Sequence, residues 1–388
     1  MILNKTYAEY LSLGSQLLGC GGGGNVQQGV NAYEAAFRIA EEKGHKVELV
    51  TLEELAARNP EGGVIVTISG VGSPASPTAY IPPEYYPRLL ELLKKQLDGQ
   101  RIIGFAACEV GASNTFEPFV PAAILGVPVV DAPCDGRAHP LGLMGSLGLE
   151  KQGIPVVQCA VGGRKGENGD AGQYTEISVS GSVESCSALI RNASAQAGGF
   201  VMVARNPADI GWFTENAAVG AFSQTMELGR IWKEMLDAGT PAEKMAETTA
   251  ELLGGRLVCT GKLENYCCIT ENALDHGQFD ICTEAASCNI TFFNEYMTLD
   301  DGCGQRLATF PDGLIFIGCD RQAYSSAMLA AAVAAGTADS MTFSIIAADF
   351  KNLRIPTGLR YRGGYRTCEQ ILNRKLIPFL EEKSLFLD

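Results

Sequence analysis

Hydrophobic positions in the first part of the chain alternate between two rhythms. Stripes at helical spacing give way to short, nearly continuous apolar runs, and then return. Tyr7, Tyr10, Leu11, Leu17 and Leu18 mark one face of a first helix that Thr6 can cap. A second helix is predicted from about Gln28 to Lys43, ended by Gly44. A strand KVELV, a helix TLEELAARN and a strong strand VIVTIS (64–69) follow. Leu89, Leu90, Leu92, Leu93 and Leu97 stripe a helix from Glu84 to Leu97. Strand RIIGFAAC (101–108), a helix from about Glu117 to Leu125, strand VPVVDA (127–132) and strand IPVVQCAV (154–161) complete the series. Strands this apolar, alternating with helices, belong to an α/β layer structure around a largely parallel sheet buried on both faces.

The rhythm changes at GGRKGENGDAGQ (162–173), which is Gly-rich, charged and aperiodic and reads as a linker. Beyond it come a helix near 184–197, a strand FVMVA (200–204) and one or two helices across Gln224–Leu253. The remainder is mostly strand: RLVCTGKL, FDICTE, SCNITFFNEYMTL, RLATF and GLIFIG. The expected organisation is an N-terminal α/β domain over residues 1–165 and a β-rich domain with helical additions over 166–388.

Composition narrows the function classes. The 388 residues are 46% hydrophobic and 19% charged, enough for a sizeable core and unlike a disordered chain. Net charge is -14 and no cluster of Lys and Arg interleaves with aromatics, which argues against nucleic acid and anionic membrane surfaces as partners. The N-terminus MILNKTYAEYLSLG lacks the pattern of a signal peptide, and no apolar stretch reaches the ~18 residues a bilayer requires. Thirteen cysteines, an odd number without a CxxC pair, fit free thiols in a reducing cytoplasm better than a disulfide framework. With three histidines, a finger-type zinc site has no support.

Residues 19–25 read GCGGGGN, and four consecutive glycines are costly to order. A phosphate loop leaves a strand and enters a helix, whereas this run follows a helix and matches neither GxGxxG nor GxxxxGK[ST] spacing. No nucleotide cofactor is expected. Two readings remain: a helix–helix turn needing positive φ, or a backbone-lined site in which Gly21, Gly22, Gly23, Gly24 and Asn25 meet a ligand.

Polar residues concentrate where apolar strands end, at the edge where open α/β sheets bind ligands. RIIGFAAC runs into Glu109, Gly111, Ser113, Asn114 and Glu117, and VPVVDA into Asp131, Cys134, Asp135, Arg137 and His139. Singly, each has a plain structural role: Glu117 as a helix-start acid, Arg137 as a salt-bridge partner, His139 in a turn before Pro140. Together, acids, a guanidinium, an imidazole and thiols at one edge indicate a site. Asn294 and Glu295 interrupt an apolar strand, so strand alternation aims one of them inward. Asp312 in FPDGL reads as a hairpin Asp-Gly. Cys108, Cys134 and His139 are candidate ligands for Zn²⁺ or another thiophilic divalent ion, without the fixed short spacing of a metal motif.

At these loops the chain resembles the S-methyl thiohydantoin desulfurase-like family (DUF917), often associated with hydantoinases and oxoprolinases. LGCGGGGN is similar to its glycine-run signature LGTGGGG, with Cys20 in place of Thr. EVGASNTFEPFVPAA resembles its E-x-G-x-x-N-x-x-x-P element through Glu109, Gly111, Asn114 and Pro118. VPVVDAPCDGRAHPLGLM is similar to PVVDADGMGRAFPELQM, with Asp131, Gly136, Arg137, Ala138, Pro140 and Met144 in register. NAAVGAFSQTMELGR, HGQFDI, TFFNEYMTL, FPDGLIFI and TGLRYRGGY look like the corresponding later segments. Where the family pattern has carboxylates this chain has Pro133 and Leu141, while Cys134, Asp135 and His139 replace Gly, Met and Phe.

The resemblance implies a two-domain fold and a small cyclic ureide or thioureide as ligand. The implied activity is hydrolytic removal of sulfur, or ring hydrolysis. Glu109 or Asp131 would activate water, His139, Asp135 or Cys134 would move protons, and Arg137 would hold a substrate carboxylate. Asn114 and the glycine amides would donate to a developing anion, with Glu117, Asn294 and Glu295 as further substrate contacts. The alternative is a non-catalytic binding protein beside a hydantoinase or oxoprolinase partner. Cysteine nucleophilic catalysis through Cys108 or Cys134, with His139 as base, is a third route. A homo-oligomer is expected.

Overall fold

Two helices bracket the glycine run. α1 (Thr6–Leu18) stops at Gly19, and α2 (Val26–Lys43) starts behind Asn25, whose Oδ1 accepts from Gln28 N at 3.1 Å. Thr6 is the first residue of α1 rather than its cap; Asn4 Oδ1 takes the Thr6 N–H at 2.9 Å instead. A computed structural model describes residues 1–72, 76, 78–149, 153, 155–271, 274–350 and 362–376.

The first sheet contains β1 (Leu49–Val50), β2 (Val64–Gly72), β3 (Ile102–Ala107), β4 (Val129–Val130), β5 (Val156–Lys165), β6 (Ala171–Gly181) and β7 (Phe200–Ala208), in the order β1-β4-β3-β2-β7-β5-β6. β1, β4, β3 and β2 run parallel, and β7, β5 and β6 continue the sheet antiparallel. α1, α2, α4 (Tyr85–Gln96) and α5 (Phe119–Leu125) cover one face around Tyr33, Phe105, Phe116 and Phe119. α3 (Leu52–Arg58), α6 (Val183–Gln196) and α7 (Ile210–Asn216) cover the other, through Leu55, Ile190 and Phe213. The α/β layer structure expected from apolar strands alternating with helices is therefore present.

The glycine-rich segment 162–173 is not a linker. Gly162 and Gly163 lie in β5, opposite Thr175 and Tyr174 of β6, and the chain turns between Gly166 and Asp170. Glycine and charge suit an exposed hairpin end as well as a linker, and composition alone does not separate the two. The first sheet thus draws strands from as far along the chain as Ala208.

After α8 (Ala221–Asp237) and α9 (Ala242–Leu252) come β8 (Arg256–Glu271), β9 (Leu274–Cys282), β10 (Ser287–Phe293), β11 (Glu295–Asp301), β12 (Arg306–Thr309), β13 (Gly313–Gly318), α10 (Ser326–Ala334), β14 (Thr342–Ala348) and α11 (Arg362–Leu372). The second sheet is antiparallel, ordered β12-β11-β10-β9-β8-β14-β13. SCNITFFNEYMTL is two strands: the chain reverses at Asn294, at φ 56, so that Phe293 pairs with Glu295. Asp312 likewise sits in no simple hairpin. The three residues 310–312 join β12 to β13, which stand at opposite ends of the strand order. So short a connection spans at most about 10 Å, so the sheet curls until its edges approach. Ala308, Leu314, Phe316, Phe279 and Tyr296 share the core inside that curl.

α1 and α8 join the two layers. A Cβ on Gly229 would lie 1.8 Å from Tyr10 O, and one on Gly14 would lie 1.9 Å from Thr225 O, so the helices meet backbone to backbone. Leu17 and Leu18 of α1, Trp232 of α8 and Met245 of α9 then pack against Ile315 and Ile346 of the second sheet. Among the described residues no helix is long and apolar enough to cross a membrane.

Candidate active site

The glycine run lies at the seam between the two sheets. Cys20, Gly21, Gly23 and Gly24 all have positive φ, from 48 to 94°. On one side Gly23 O accepts from Asn114 N at 3.1 Å, and a Cβ on Gly23 would lie 2.3 Å from the Gly111 carbonyl carbon. On the other, Tyr296 N donates to Cys20 O at 2.9 Å, and Ser326 N to Gly21 O at 3.0 Å. A Cβ on Gly22 would sit 2.0 Å from Glu295 Oε1. Four glycines are therefore required by chain direction and by neighbours on both sides. The run is a turn with positive φ, and it also floors a cavity of about 610 Å³.

That cavity collects much of what the strand-end pattern pointed to. Gly21, Gly22, Gly23, Gly24, Asn25, Cys108, Glu109, Asn114, His139, Asn294 and Glu295 line it. Glu109 leaves the end of β3 and is held at both oxygens. Asn114 Nδ2 donates to Oε1 at 2.6 Å, and His139 N donates to Oε2 at 3.1 Å. Asn114 is itself oriented, since its Oδ1 accepts from Gly70 N at 3.2 Å. The His139 Nδ1 atom lies 3.1 Å from Glu109 Oε2 and 2.9 Å from Asp135 Oδ2, in neither case aligned as a hydrogen bond.

Burial governs the protonation of this group. It raises Glu109 to about 7, against the Asn114 amide, the His139 N–H and the Arg205 and Arg137 guanidiniums. Burial and then the Glu109 charge hold both Asp135 and Glu295 well above the carboxylate range, with Arg137 opposing. Burial, Arg205 and Arg137 push the His139 imidazole down to about 3. These shifts leave the ring uncharged and Glu109 titrating near neutral pH, and they favour the protonated forms of Asp135 and Glu295. Glu295 Oε2 is buried without a hydrogen-bond partner among the described residues, while the Gly23 N–H supports the carboxyl. A titrating acid beside a protonated one in a cavity is equipped to take a proton from one reacting group and give one to another.

Five candidate residues do not line the cavity. Asp131 caps α8 from outside the helix: Oδ1 accepts from Phe222 N at 2.8 Å and Ser223 N at 3.3 Å, and Oδ2 from Ser223 Oγ at 2.5 Å. Glu117 accepts from the Tyr86 hydroxyl at 3.0 Å beneath the helical layer. Arg137 donates to the Asp312 carbonyl and, at 3.0 Å, to Tyr296 O, and its guanidinium carbon lies 4.7 Å from the Phe310 ring centre. It clasps the second sheet to the loop after β4 and is not placed to hold a substrate carboxylate. Asp135 stands behind His139, and Cys134 packs against Thr67 with Sγ 3.2 Å from Oγ1.

Neither candidate thiol is poised as a nucleophile. Burial pushes Cys134 up to about 12, and burial with the Glu109 charge holds Cys108 well above the usual thiol value despite Arg205 beside it. Among the described residues no three or more His, Cys, Asp or Glu side chains are grouped to hold a metal ion. Cys108 and His139 reach the cavity while Cys134 faces Thr67, so this set of three does not fit Zn²⁺.

Residues outside the strand-end pattern complete the wall. Arg205 of β7, Arg191 and Ser187 of α6, and Asp275 of β9 all line the cavity, as do Ser325 and Ser326 at the start of α10. The available signal was a charged residue closing an apolar strand, in FVMVARNPA, and another inside the apolar helix SALIRNASA.

Comparison with solved structures gives the same fold. A crystal structure of a protein from Chromobacterium violaceum superposes with a TM-score of 0.70 at 22% identity, covering 96% of this chain and 97% of that one. No curated protein matches. Sequence models of the S-Me-THD-like N-terminal and C-terminal domains match residues 6–169 and 182–335, and they include the glycine run, Glu109, Asn114, His139 and Glu295. The chain belongs to the S-Me-THD-like family.

Proposed function

We propose that this protein is a hydrolase that removes sulfur from, or opens, a small hydantoin- or thiohydantoin-type ring. The observation that carries the reading is Glu109. It is a buried carboxyl with proton affinity near neutrality, oriented by Asn114 and His139, facing a glycine-floored cavity across from the protonated Glu295. Membership of the S-Me-THD-like family supports a desulfurase-like activity.

In this reading Glu109 takes a proton from water, and the hydroxide adds to the ring carbon bearing sulfur. The tetrahedral intermediate collapses: its C–S bond breaks with the electron pair leaving on sulfur, and the added hydroxyl passes its proton to the departing sulfide, or to the ring nitrogen of an S-alkyl compound, so that the carbon keeps oxygen as a carbonyl. The sulfur leaves as sulfide or a thiol, protonated by Glu295, and Glu109 returns its proton to Glu295. Water and the sulfur ring compound yield the oxygen ring compound and hydrogen sulfide or thiol, with no redox change.

The test is incubation of purified protein with 2-thiohydantoin and its S-methyl derivative, following released sulfide or methanethiol and the ring product. Turnover that falls ~10²-fold or more in Glu109→Gln supports the reading. Absence of sulfur release and of ring opening across the panel overturns it. Pro133 and Leu141, standing where the family pattern has carboxylates, favour a second reading, a binding protein that acts beside a hydantoinase. That reading predicts ligand affinity without turnover.

A further inference from the structure

Two guanidiniums line the cavity without a step of their own in this chemistry, although Arg205 acts on the proton affinities of Glu109 and His139. Arg205 is 2% exposed, and its Nε lacks a hydrogen-bond partner among the described residues. Arg191 reaches the same cavity from α6. Among the described residues neither forms an ion pair. Arginine stays charged when buried, and a buried cation is costly unless it is paired. Arg205 has the Cys108 thiol as a partner, while Glu109 and Glu295 act on the two guanidiniums from beyond ion-pair distance. Burial and then the nearby Arg205 lower the proton affinity of Arg191, with Glu295 opposing, so two like charges share one region. The Ser187 hydroxyl lies close by: a Cβ on Gly142 would meet Arg205 Nη1 at 2.6 Å and Ser187 Oγ at 3.1 Å, and Gly142, Ser187, Arg191 and Arg205 all line the cavity.

We propose that Arg205 and Arg191, with the Ser187 hydroxyl, form a subsite for a carboxylate carried by the ligand, so that the ring compound handled here is an acid. Its ring lies against Glu109, and its side-chain carboxylate lies between the guanidiniums, whose forked donors match a carboxylate. The identity of the ring rests on the function proposed above; the anion subsite does not. Inorganic phosphate shares the anionic chemistry and serves as a separate arm of the test.

Calorimetric titrations compare hydantoin-5-acetate with its neutral amide, and the ring-free pair glutarate and glutaramide, with inorganic phosphate alongside. The expected result is that the acid of each pair binds about tenfold or more tightly than its amide. Arg191→Gln should abolish that preference while amide affinity stays within about twofold. Arg205→Met should act likewise; because Arg205 is buried and this variant can unfold, the part-exposed Arg191 carries the test. Equal binding of acid and amide in both pairs overturns the subsite, as does an undiminished preference in Arg191→Gln. Phosphate binding that competes with neither acid, without any acid preference, overturns it too. Acid preference in the ring-free pair, with no binding or turnover of ring compounds, would remove the ring chemistry and leave the subsite standing. Ring turnover without acid preference would do the reverse.

Discussion

Glu109 receives two N–H donors and still titrates near neutrality, because the burial that brings those donors also removes water. A general base works when deprotonated, so kcat/KM should rise as Glu109 loses its proton through about pH 7. It should fall again at higher pH, where Glu295 gives up the proton that the leaving sulfur needs. A pH–rate profile checks both limbs, and Glu109→Gln should flatten the lower one. Asp131 carries the same functional group to a different end. It serves the first N–H groups of α8, so Asp131→Ala should destabilise the fold by about 1–2 kcal/mol. Chemical denaturation measures that loss, and ligand affinity in the folded variant should stay unchanged.

At the scale of elements, glycine placement decides which segments can touch. Gly229→Ala puts a methyl 1.8 Å from Tyr10 O, a backbone atom that cannot rotate away. Separating α1 from α8 should cost about 3 kcal/mol or more, read as a fall in Tm. Gly22→Ala meets the flexible end of Glu295 instead. It should spare most of the stability and abolish turnover, as calorimetry and activity measured on one preparation would show. Helices and strands of the first layer were legible because periodicity reports burial directly. Glu109, Asn114 and His139 were legible because strand ends define a ligand-binding edge. The reversal at Asn294 was not, since an apolar run broken by one polar residue reads equally as one strand or two. Arg205 was hidden for a related reason. Its strand returns to the sheet from beyond residue 165, and no local pattern tells where a strand will insert.

At the scale of the molecule, Arg137 fastens the loop after β4 to the second sheet through the carbonyls of Tyr296 and Asp312. Arg137→Ala removes the guanidinium donors from both carbonyls and its packing on Phe310, and should destabilise by about 2–5 kcal/mol, with the loss visible in calorimetric unfolding. The glycine run stands at the same junction, its carbonyls answering donors from Asn114 on one side and from Tyr296 and Ser326 on the other. The pocket is consequently a socket with one jaw on each sheet, and neither jaw makes it alone. A recombination that paired this N-terminal half with a foreign C-terminal half would keep the bare backbone of Gly22 but present it to a carboxyl of different reach.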